Sequence, residues 1–265
     1  MSARERHNVV EHGSPEAQPM LFAHGFGCDQ NMWRSVWPAF AADHRVVLFD
    51  LAGFGGSDPG AFDAVRHATL DGYAHDMLDI CAELDLTGVV FVGHSVSAMI
   101  GALAAAAEPE RFARLVLVGP SARYIDDDGY KGGFSRQDIE GLLDAMDANY
   151  LGWSAQMAPV IMGNADRPEL GGELTNSFCR ADPALARHFA RVTFLSDNRA
   201  DLGRVPTKSL VLQCADDPIA PDSVGVHVSS ELPDAELVRM RATGHCPNLS
   251  APEETVAAIR HFLGA

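Results

Sequence analysis

The chain contains 265 residues, 47% of them hydrophobic, and its 20 basic and 36 acidic side chains give a formal net charge of −16 at pH 7. A chain of this length and apolar content can bury a full core as one domain, with room for an insertion. Because the chain is acidic and has no basic run, nucleic acid and anionic membranes are not expected as partners.

The amino-terminal residues and the cysteines bear on cellular location. The first twenty residues are polar and include Pro15 and Pro19, so they are not expected to form a signal peptide or a membrane span. The cysteines lack the spacing of metal ligands, and they are Cys28, Cys81, Cys179, Cys214 and Cys246. We therefore expect a reduced, cytoplasmic protein without a metal site.

Apolar strands alternate with helical stretches along most of the chain. This order predicts an α/β fold, with a mainly parallel sheet covered on both faces. Strands are predicted near residues 20–24, 45–50, 89–93, 114–119, 209–214 and 236–241, and helices near residues 31–42, 70–86, 96–107 and 252–263.

The middle of the chain has a different pattern, without strand-like runs. Ser135 begins a capping box, and Asp182 precedes a proline as an N-cap residue often does. We therefore expect several consecutive helices at residues 121–204. They would form a lid inserted into a core made of residues 1–120 and 205–265.

The most informative motif surrounds Ser95. A β-branched apolar run ends at Gly93, and small residues that can begin a helix follow the serine. A serine at such a strand-to-helix junction sits on a tight turn, with its hydroxyl above the sheet edge and helix amides beside it. This geometry suits nucleophilic catalysis, although Ser95 could also be an ordinary turn residue.

A serine nucleophile needs a base, and in this architecture an acid and then a histidine follow the serine along the chain. Asp217 and His245 each come just after a strand-like run, as Ser95 does. Parallel strands gather such loops at one edge of the sheet, so these three residues form the predicted triad. Asp216 competes with Asp217 for the acid position. Asp217 could instead cap the following turn, and His245 could be a solvated loop histidine.

An acyl-transfer site also needs backbone amides directed at the developing oxyanion. One is expected from Val96, the residue after the nucleophile. The second is expected from Phe26, because Gly25 and Gly27 on either side let the backbone turn inward. The other interpretation of this segment is a plain glycine-rich turn.

Aromatic and methionine side chains give the middle region apolar bulk. They either pack helix against helix or line a closed, water-poor pocket for a small apolar or moderately polar ligand. The residues concerned are Tyr124, Phe134, Trp153, Met157, Phe189 and Phe194.

Several segments resemble one subfamily of the α/β-hydrolase superfamily. That subfamily contains the bacterial hydrolase of the energy-stress branch of sigma-B regulation and the plant strigolactone and karrikin receptors. The resemblance extends from about Arg6 to Leu263. Its segments are HGFGCDQNMW from His24, DLAGFGGSD from Asp50, LDGYAHDMLDI from Leu70, GHSVSAMIG from Gly93, QCADDPIAP from Gln213 and GHCPNLSAPEET from Gly244.

The resemblance implies an α/β-hydrolase fold with a four-helix lid, arranged in a V over a hydrophobic pocket. It assigns the triad to Ser95, Asp217 and His245, and so favours Asp217 over Asp216. The implied oxyanion donors are the amides of Phe26 and Val96. The implied pocket residues are Phe26, His94, Tyr124, Phe134, Trp153, Phe194 and Ile219.

One departure from the superfamily pattern is Ser97, which replaces the second glycine of the nucleophile turn. The GHSVSAM segment resembles the plant receptors in this respect, whereas QCADD and GHCP resemble the bacterial regulator more closely.

The function implied by the resemblance is hydrolysis of an ester, lactone or butenolide-type small molecule through an acyl-enzyme, without a metal or organic cofactor. The alternative is a ligand-sensing regulator in which hydrolysis is slow. Its lid would engage a partner, which in a bacterial member would resemble the serine phosphatase of sigma-B activation. The residues alone support only a metabolic ester hydrolase. A lyase, dehalogenase or haloperoxidase is less favoured, and a dehalogenase would carry an acid in place of Ser95.

Overall fold

A computed structural model describes residues 1–264 and contains one seven-stranded sheet. The strand order is β1-β3-β2-β4-β5-β6-β7, with β1 antiparallel to β3 and the other pairs parallel. The strands are β1 (Val10–His12), β2 (Gln18–Ala23), β3 (His44–Phe49), β4 (Val89–His94), β5 (Phe112–Val118), β6 (Ser209–Gln213) and β7 (Ala235–Arg239). The predicted α/β class and mainly parallel sheet are confirmed.

Helices connect these strands, and α4 to α8 all lie between β5 and β6 along the chain. The α-helices are α1 (Ala3–Arg6), α2 (Leu70–Glu83), α3 (Val96–Ala107), α4 (Arg136–Ala148), α5 (Tyr150–Met162), α6 (Pro168–Arg180), α7 (Pro183–Phe194), α8 (Arg199–Leu202), α9 (Asp222–Glu231), α10 (Pro247–Ser250) and α11 (Pro252–Leu263). Within residues 1–264, no helix is both long and apolar enough to cross a membrane.

The sheet is buried on both faces because side chains alternate along each strand. In β2, Leu21 and Ala23 pack into one apolar cluster together with residues of α2 and α3. Met20 and Phe22 pack into a second cluster on the other face, which includes Ile259 of α11 and residues of α4 to α7. The continuous apolar runs that predict the central strands reflect this two-sided burial.

The helix predicted at residues 31–42 is wrong. The segment forms two 3₁₀ turns instead, Gln30–Trp33 and Trp37–Ala39. Pro38 explains the break, since proline lacks an N–H and disfavours a helical conformation in the residue before it. Asp29 caps the first turn by accepting a hydrogen bond from the N–H of Asn31 at 2.9 Å.

Candidate active site

Ser95 occupies the turn between β4 and α3 with φ +57° and ψ −124°. A positive φ in a residue with a side chain is strained, by about 1–3 kcal/mol, and persists only where the surrounding structure enforces it. Here the Ser95 N–H donates to the carbonyl of Val118 on neighbouring β5 at 2.8 Å. The sheet therefore holds the turn in place.

The three residues of the predicted triad lie together and are buried. Ser95 Oγ is 2.7 Å from His245 Nε2, and His245 Nδ1 is 2.7 Å from Asp217 Oδ2. Because an ionised carboxylate only accepts hydrogen bonds, Nδ1 carries the proton and Nε2 is left to accept from the serine. This is the arrangement needed for His245 to act as a base.

The structure distinguishes between the two candidate aspartates. Asp217 Oδ1 accepts hydrogen bonds from the N–H groups of Ile219 and Ala220 at 2.8 and 2.9 Å, which fixes its carboxylate toward His245. Asp216 is exposed, and its backbone carbonyl accepts from the N–H of Gly244 at 2.9 Å. The residue that contacts His245 is Asp217.

The two amides predicted as oxyanion donors make no backbone hydrogen bond within residues 1–264. Val96 is the first residue of α3, so its N–H has no intrahelical partner. The second amide belongs to Phe26, in the loop after β2. The preceding Gly25 approaches the serine so closely that a Cβ on it would lie 3.4 Å from Ser95 Cβ and 2.4 Å from His94 Nδ1.

Ser97 connects α3 to the loop after β2, which carries Phe26. Its side chain is fully buried, and its Oγ donates to the carbonyl of His24 at 2.5 Å. This hydrogen bond joins α3 directly to the loop that carries Phe26.

A small, mainly apolar cavity of about 30 Å³ lies over Ser95. Most of the predicted pocket residues line it, namely Phe26, His94, Tyr124, Trp153, Phe194 and Ile219. Phe134 does not. Its backbone pairs with that of Tyr124 through an N–H to carbonyl hydrogen bond of 3.2 Å, and its side chain packs against the second apolar cluster.

Six further residues line the cavity and were not predicted from the sequence. They are Cys28, Ile161, Leu174, Phe178, Thr193 and Cys246. The two cysteines adjoin predicted loops, at Gly27 and His245, and could have been proposed on that basis. The others lie on α5, α6 and α7, and which face of each helix meets the cavity depends on how the helices cross.

Burial sets the ionisation of the groups around the cavity. It raises the pKa of Cys28 to about 12 and raises that of Cys246 as well, so both thiols stay neutral and poorly nucleophilic. Burial, with the nearby His245, lowers the pKa of His94 to about 3. His94 is therefore neutral and donates from Nε2 to the carbonyl of His245 at 2.7 Å.

A second, larger groove of about 710 Å³ does not include the triad residues. It is lined by Gln30, Arg34, Trp37, Asp50 and Arg180 among others. In the part of the chain that the structure describes, no group of three or more His, Cys, Asp or Glu side chains is arranged to hold a metal ion.

The sheet topology, the strained serine turn and the triad in the order Ser, Asp, His are those of an α/β hydrolase. A model of the alpha/beta hydrolase family matches residues 20–259, and the chain belongs to that family.

Its relatives place the chain in the subfamily of strigolactone and karrikin receptor-like proteins. It is 39% identical to the strigolactone esterase of Arabidopsis thaliana over 245 residues, covering 92% of this chain and 91% of that protein. It is 38% identical to a probable esterase of Oryza sativa subsp. japonica over 260 residues, covering 97% and 96%. The structure of a hydrolase from Oleispira antarctica, 38% identical, superposes with a TM-score of 0.96 and covers 99% of this chain and 96% of that one.

Proposed function

We propose that this chain is a serine hydrolase of carboxylic esters, in which Ser95 is the nucleophile, His245 the base and Asp217 the orienting acid. The substrate class is an ester, lactone or butenolide-type small molecule. The observation that carries the proposal is the continuous contact from Ser95 Oγ to His245 to Asp217, at 2.7 Å for each step, beneath an apolar cavity. The esterase names of two relatives support it.

The reaction follows from this geometry. His245 Nε2 takes the hydroxyl proton as Ser95 Oγ bonds to the carbonyl carbon, and the amides of Phe26 and Val96 donate to the resulting oxyanion. The tetrahedral intermediate collapses with loss of the alcohol, which receives its proton from His245. Asp217 holds the tautomer and stabilises the imidazolium without being protonated.

Water then completes the cycle. It loses a proton to His245 as it attacks the acyl-serine, and the second tetrahedral intermediate releases the acid and restores the Ser95 hydroxyl. Each step uses only groups of the protein, the substrate and water.

We further propose that residues 121–204 act as a lid on the core formed by residues 1–120 and 205–265. Trp153 of α5, Phe178 of α6 and Phe194 of α7 form part of the cavity wall. A cavity of about 30 Å³ holds roughly one water molecule. A substrate would therefore enter only when these helices move apart.

The deciding experiment replaces the nucleophile. Ser95→Ala should reduce hydrolysis of a fluorogenic ester and a butenolide probe by at least about a thousandfold while the fold is retained. Ser209→Ala is the matched control, since this serine is also buried but begins β6, at the opposite end of the strand from Asp217. Activity of Ser95→Ala near that of wild type would remove Ser95 from the mechanism.

Mass spectrometry of the intact protein gives an independent test. After brief exposure to the same probes, wild type should carry the mass of the acyl or ring fragment, and peptide mapping should place it on Ser95. A fragment attached to another residue would contradict the assignment.

A second candidate function is ligand sensing, with hydrolysis slow or secondary. It is favoured by the 37% identity to a karrikin insensitive 2 receptor of Petunia hybrida, over 97% of this chain and 96% of that protein. The lid would then change conformation on ligand binding and engage a partner. The serine phosphatase expected from the bacterial resemblance stays a prediction. Fast turnover of simple esters, with no ligand-dependent capture of such a phosphatase, would favour the metabolic role.

The setting we propose for either role is the cytoplasm. All five cysteines are unpaired, which supports a reducing compartment.

A further inference from the structure

Thr193 lines the cavity over Ser95 and carries an unpaired hydroxyl. The residue lies in the last turn of α7 and is 1% exposed. It lines the same cavity as Ser95, Tyr124 and Phe194. Its Oγ1 is buried and has no hydrogen-bonding partner within residues 1–264.

This state differs from that of other helical threonines in the protein. Thr255 of α11 is equally buried, and its Oγ1 donates to the carbonyl of Ala251 one turn earlier at 3.0 Å. Thr175 of α6 donates to Gly171 in the same way at 2.9 Å. Native proteins leave few buried polar atoms unpaired because each one is destabilising. A hydroxyl left in this state on a cavity wall therefore indicates a role toward whatever fills the cavity.

Among the other polar side chains that line the cavity, His94 also has a buried Nδ1 without a hydrogen-bonding partner within residues 1–264, but this atom faces Gly25, where an added Cβ would lie 2.4 Å from it. Ser95 contacts His245, and His94 donates to the carbonyl of His245. Much of the remaining wall is aromatic, and no Lys, Arg, Asp or Glu side chain lines the cavity. An ionised ligand group would be buried there without a counter-charge, so a neutral ligand is favoured.

We propose that Thr193 Oγ1 donates a hydrogen bond to a second oxygen of the substrate, one that is not part of the scissile carbonyl. The preferred substrate is then a small uncharged ester or lactone with an additional carbonyl or ether oxygen in the part enclosed beneath the lid. This inference rests on the proposed function and names the substrate class of the same site.

The test compares esters that differ only in one keto group. In the first pair the keto group is on the acyl side, and the substrates are p-nitrophenyl pentanoate and p-nitrophenyl levulinate. In the second pair it is on the alcohol side, and the substrates are pentyl acetate and the acetate of the corresponding keto alcohol. Hydrolysis of the second pair is measured by pH-stat. For each pair, the preference is the kcat/KM of the keto ester divided by that of its parent ester. In one of the two pairs this preference should be about tenfold higher in wild type than in Thr193→Val. The Val side chain keeps the shape of threonine and removes the hydroxyl.

Two further variants control for structural effects. Thr193→Ser restores the hydroxyl and should recover the preference, whereas Thr255→Val removes a paired hydroxyl of equal burial and should behave as wild type. Equal preference ratios for wild type and Thr193→Val in both pairs would overturn the inference.

Failure of the proposed function gives a different result. If wild type hydrolyses none of these esters, their binding is measured by calorimetry on Ser95→Ala with and without Thr193→Val. Tighter binding of a keto ester that depends on Thr193 would support the inference although the hydrolase proposal had failed. Binding that does not depend on Thr193 would overturn the inference as well.

Discussion

The residues around Ser95 show which parts of a site a motif can specify. The candidate nucleophile can be predicted from the strand, the tight turn and the small residues after it, because these features are all local. The choice between Asp216 and Asp217 cannot, since the two differ by one position on the same loop. It depends on which carboxylate the amides of Ile219 and Ala220 hold toward His245.

Replacing Asp217 by asparagine tests its orienting role. Asp217→Asn should lower kcat by about ten-thousandfold, because an amide can donate to Nδ1 and so favour the tautomer in which Nε2 cannot accept the serine proton. The measurement is steady-state hydrolysis of the fluorogenic ester. Asp216→Asn is the matched control and should retain activity; comparable losses in both variants would contradict the assignment of Asp217.

Ser97 offers a second prediction at this scale. Ser97→Ala removes the hydrogen bond to the carbonyl of His24 and loosens the loop that positions the Phe26 amide. We expect kcat to fall about tenfold with KM nearly unchanged, which is less than the hundredfold or greater loss typical when an oxyanion donor is removed. A change in KM alone would assign Ser97 to substrate binding rather than to positioning of the loop.

At the scale of secondary-structure elements, the sequence predicts helices that local interactions stabilise and strands that are buried on both faces of the sheet. The helix expected at residues 96–107 coincides with α3, and the six predicted strands correspond to β2 through β7. Of the elements that were not predicted, two show why they give little signal in the sequence. The edge strand β1 has three residues, none of them fully buried, and α9 contains Gly225 and three valines, which disfavour a helix by intrinsic propensity.

For the four helices α4 to α7, the sequence predicts capping residues but not all of the residues that line the cavity. Ser135 and Asp182 cap α4 and α7 as expected, because capping involves only neighbouring residues. The cavity walls Leu174 and Thr193 were not predicted. Their positions depend on the crossing of helices far apart in sequence, which hydrophobic periodicity does not encode.

The cap of α7 leads to a prediction about this element. Asp182 accepts hydrogen bonds from the N–H groups of Ala184 and Leu185 at 2.8 and 3.1 Å. Asp182→Ala should lower the free energy of unfolding by about 1 kcal/mol, and Tm by about 2–4 °C in a chain of this size. Differential scanning calorimetry measures the shift. Asp182→Asn, which retains an accepting oxygen, should lie close to wild type.

At the scale of the whole molecule, burial lowers the pKa of two of the buried histidines, His7 and His94. Burial lowers the pKa of His7 from its ordinary value of 6.5, against an opposing effect of Asp76. His7 Nδ1 lies 3.2 Å from the carbonyl of Asp50, and its Nε2 has no hydrogen-bonding partner in the described residues. Burial and the nearby His245 lower the pKa of His94, which directly precedes Ser95, to about 3.

These shifts determine how stability depends on pH. Below about pH 6.5 the unfolded chain binds protons at both histidines more readily than the folded chain does, so acidification favours unfolding. The stabilisation is therefore complete above the unfolded pKa and is lost progressively as pH falls toward each folded pKa. His94 alone should account for about 2 kcal/mol between pH 7 and pH 5. Urea unfolding at a series of pH values should show this decline.

The variant His94→Gln identifies the source of the decline. Glutamine can still donate from Nε2 toward the carbonyl of His245, but it does not titrate. The free energy of unfolding of this variant should therefore fall less steeply from pH 7 to pH 5, by about 2 kcal/mol over the interval. An unchanged slope would mean that His94 is protonated in the folded protein or that other groups govern the acid sensitivity.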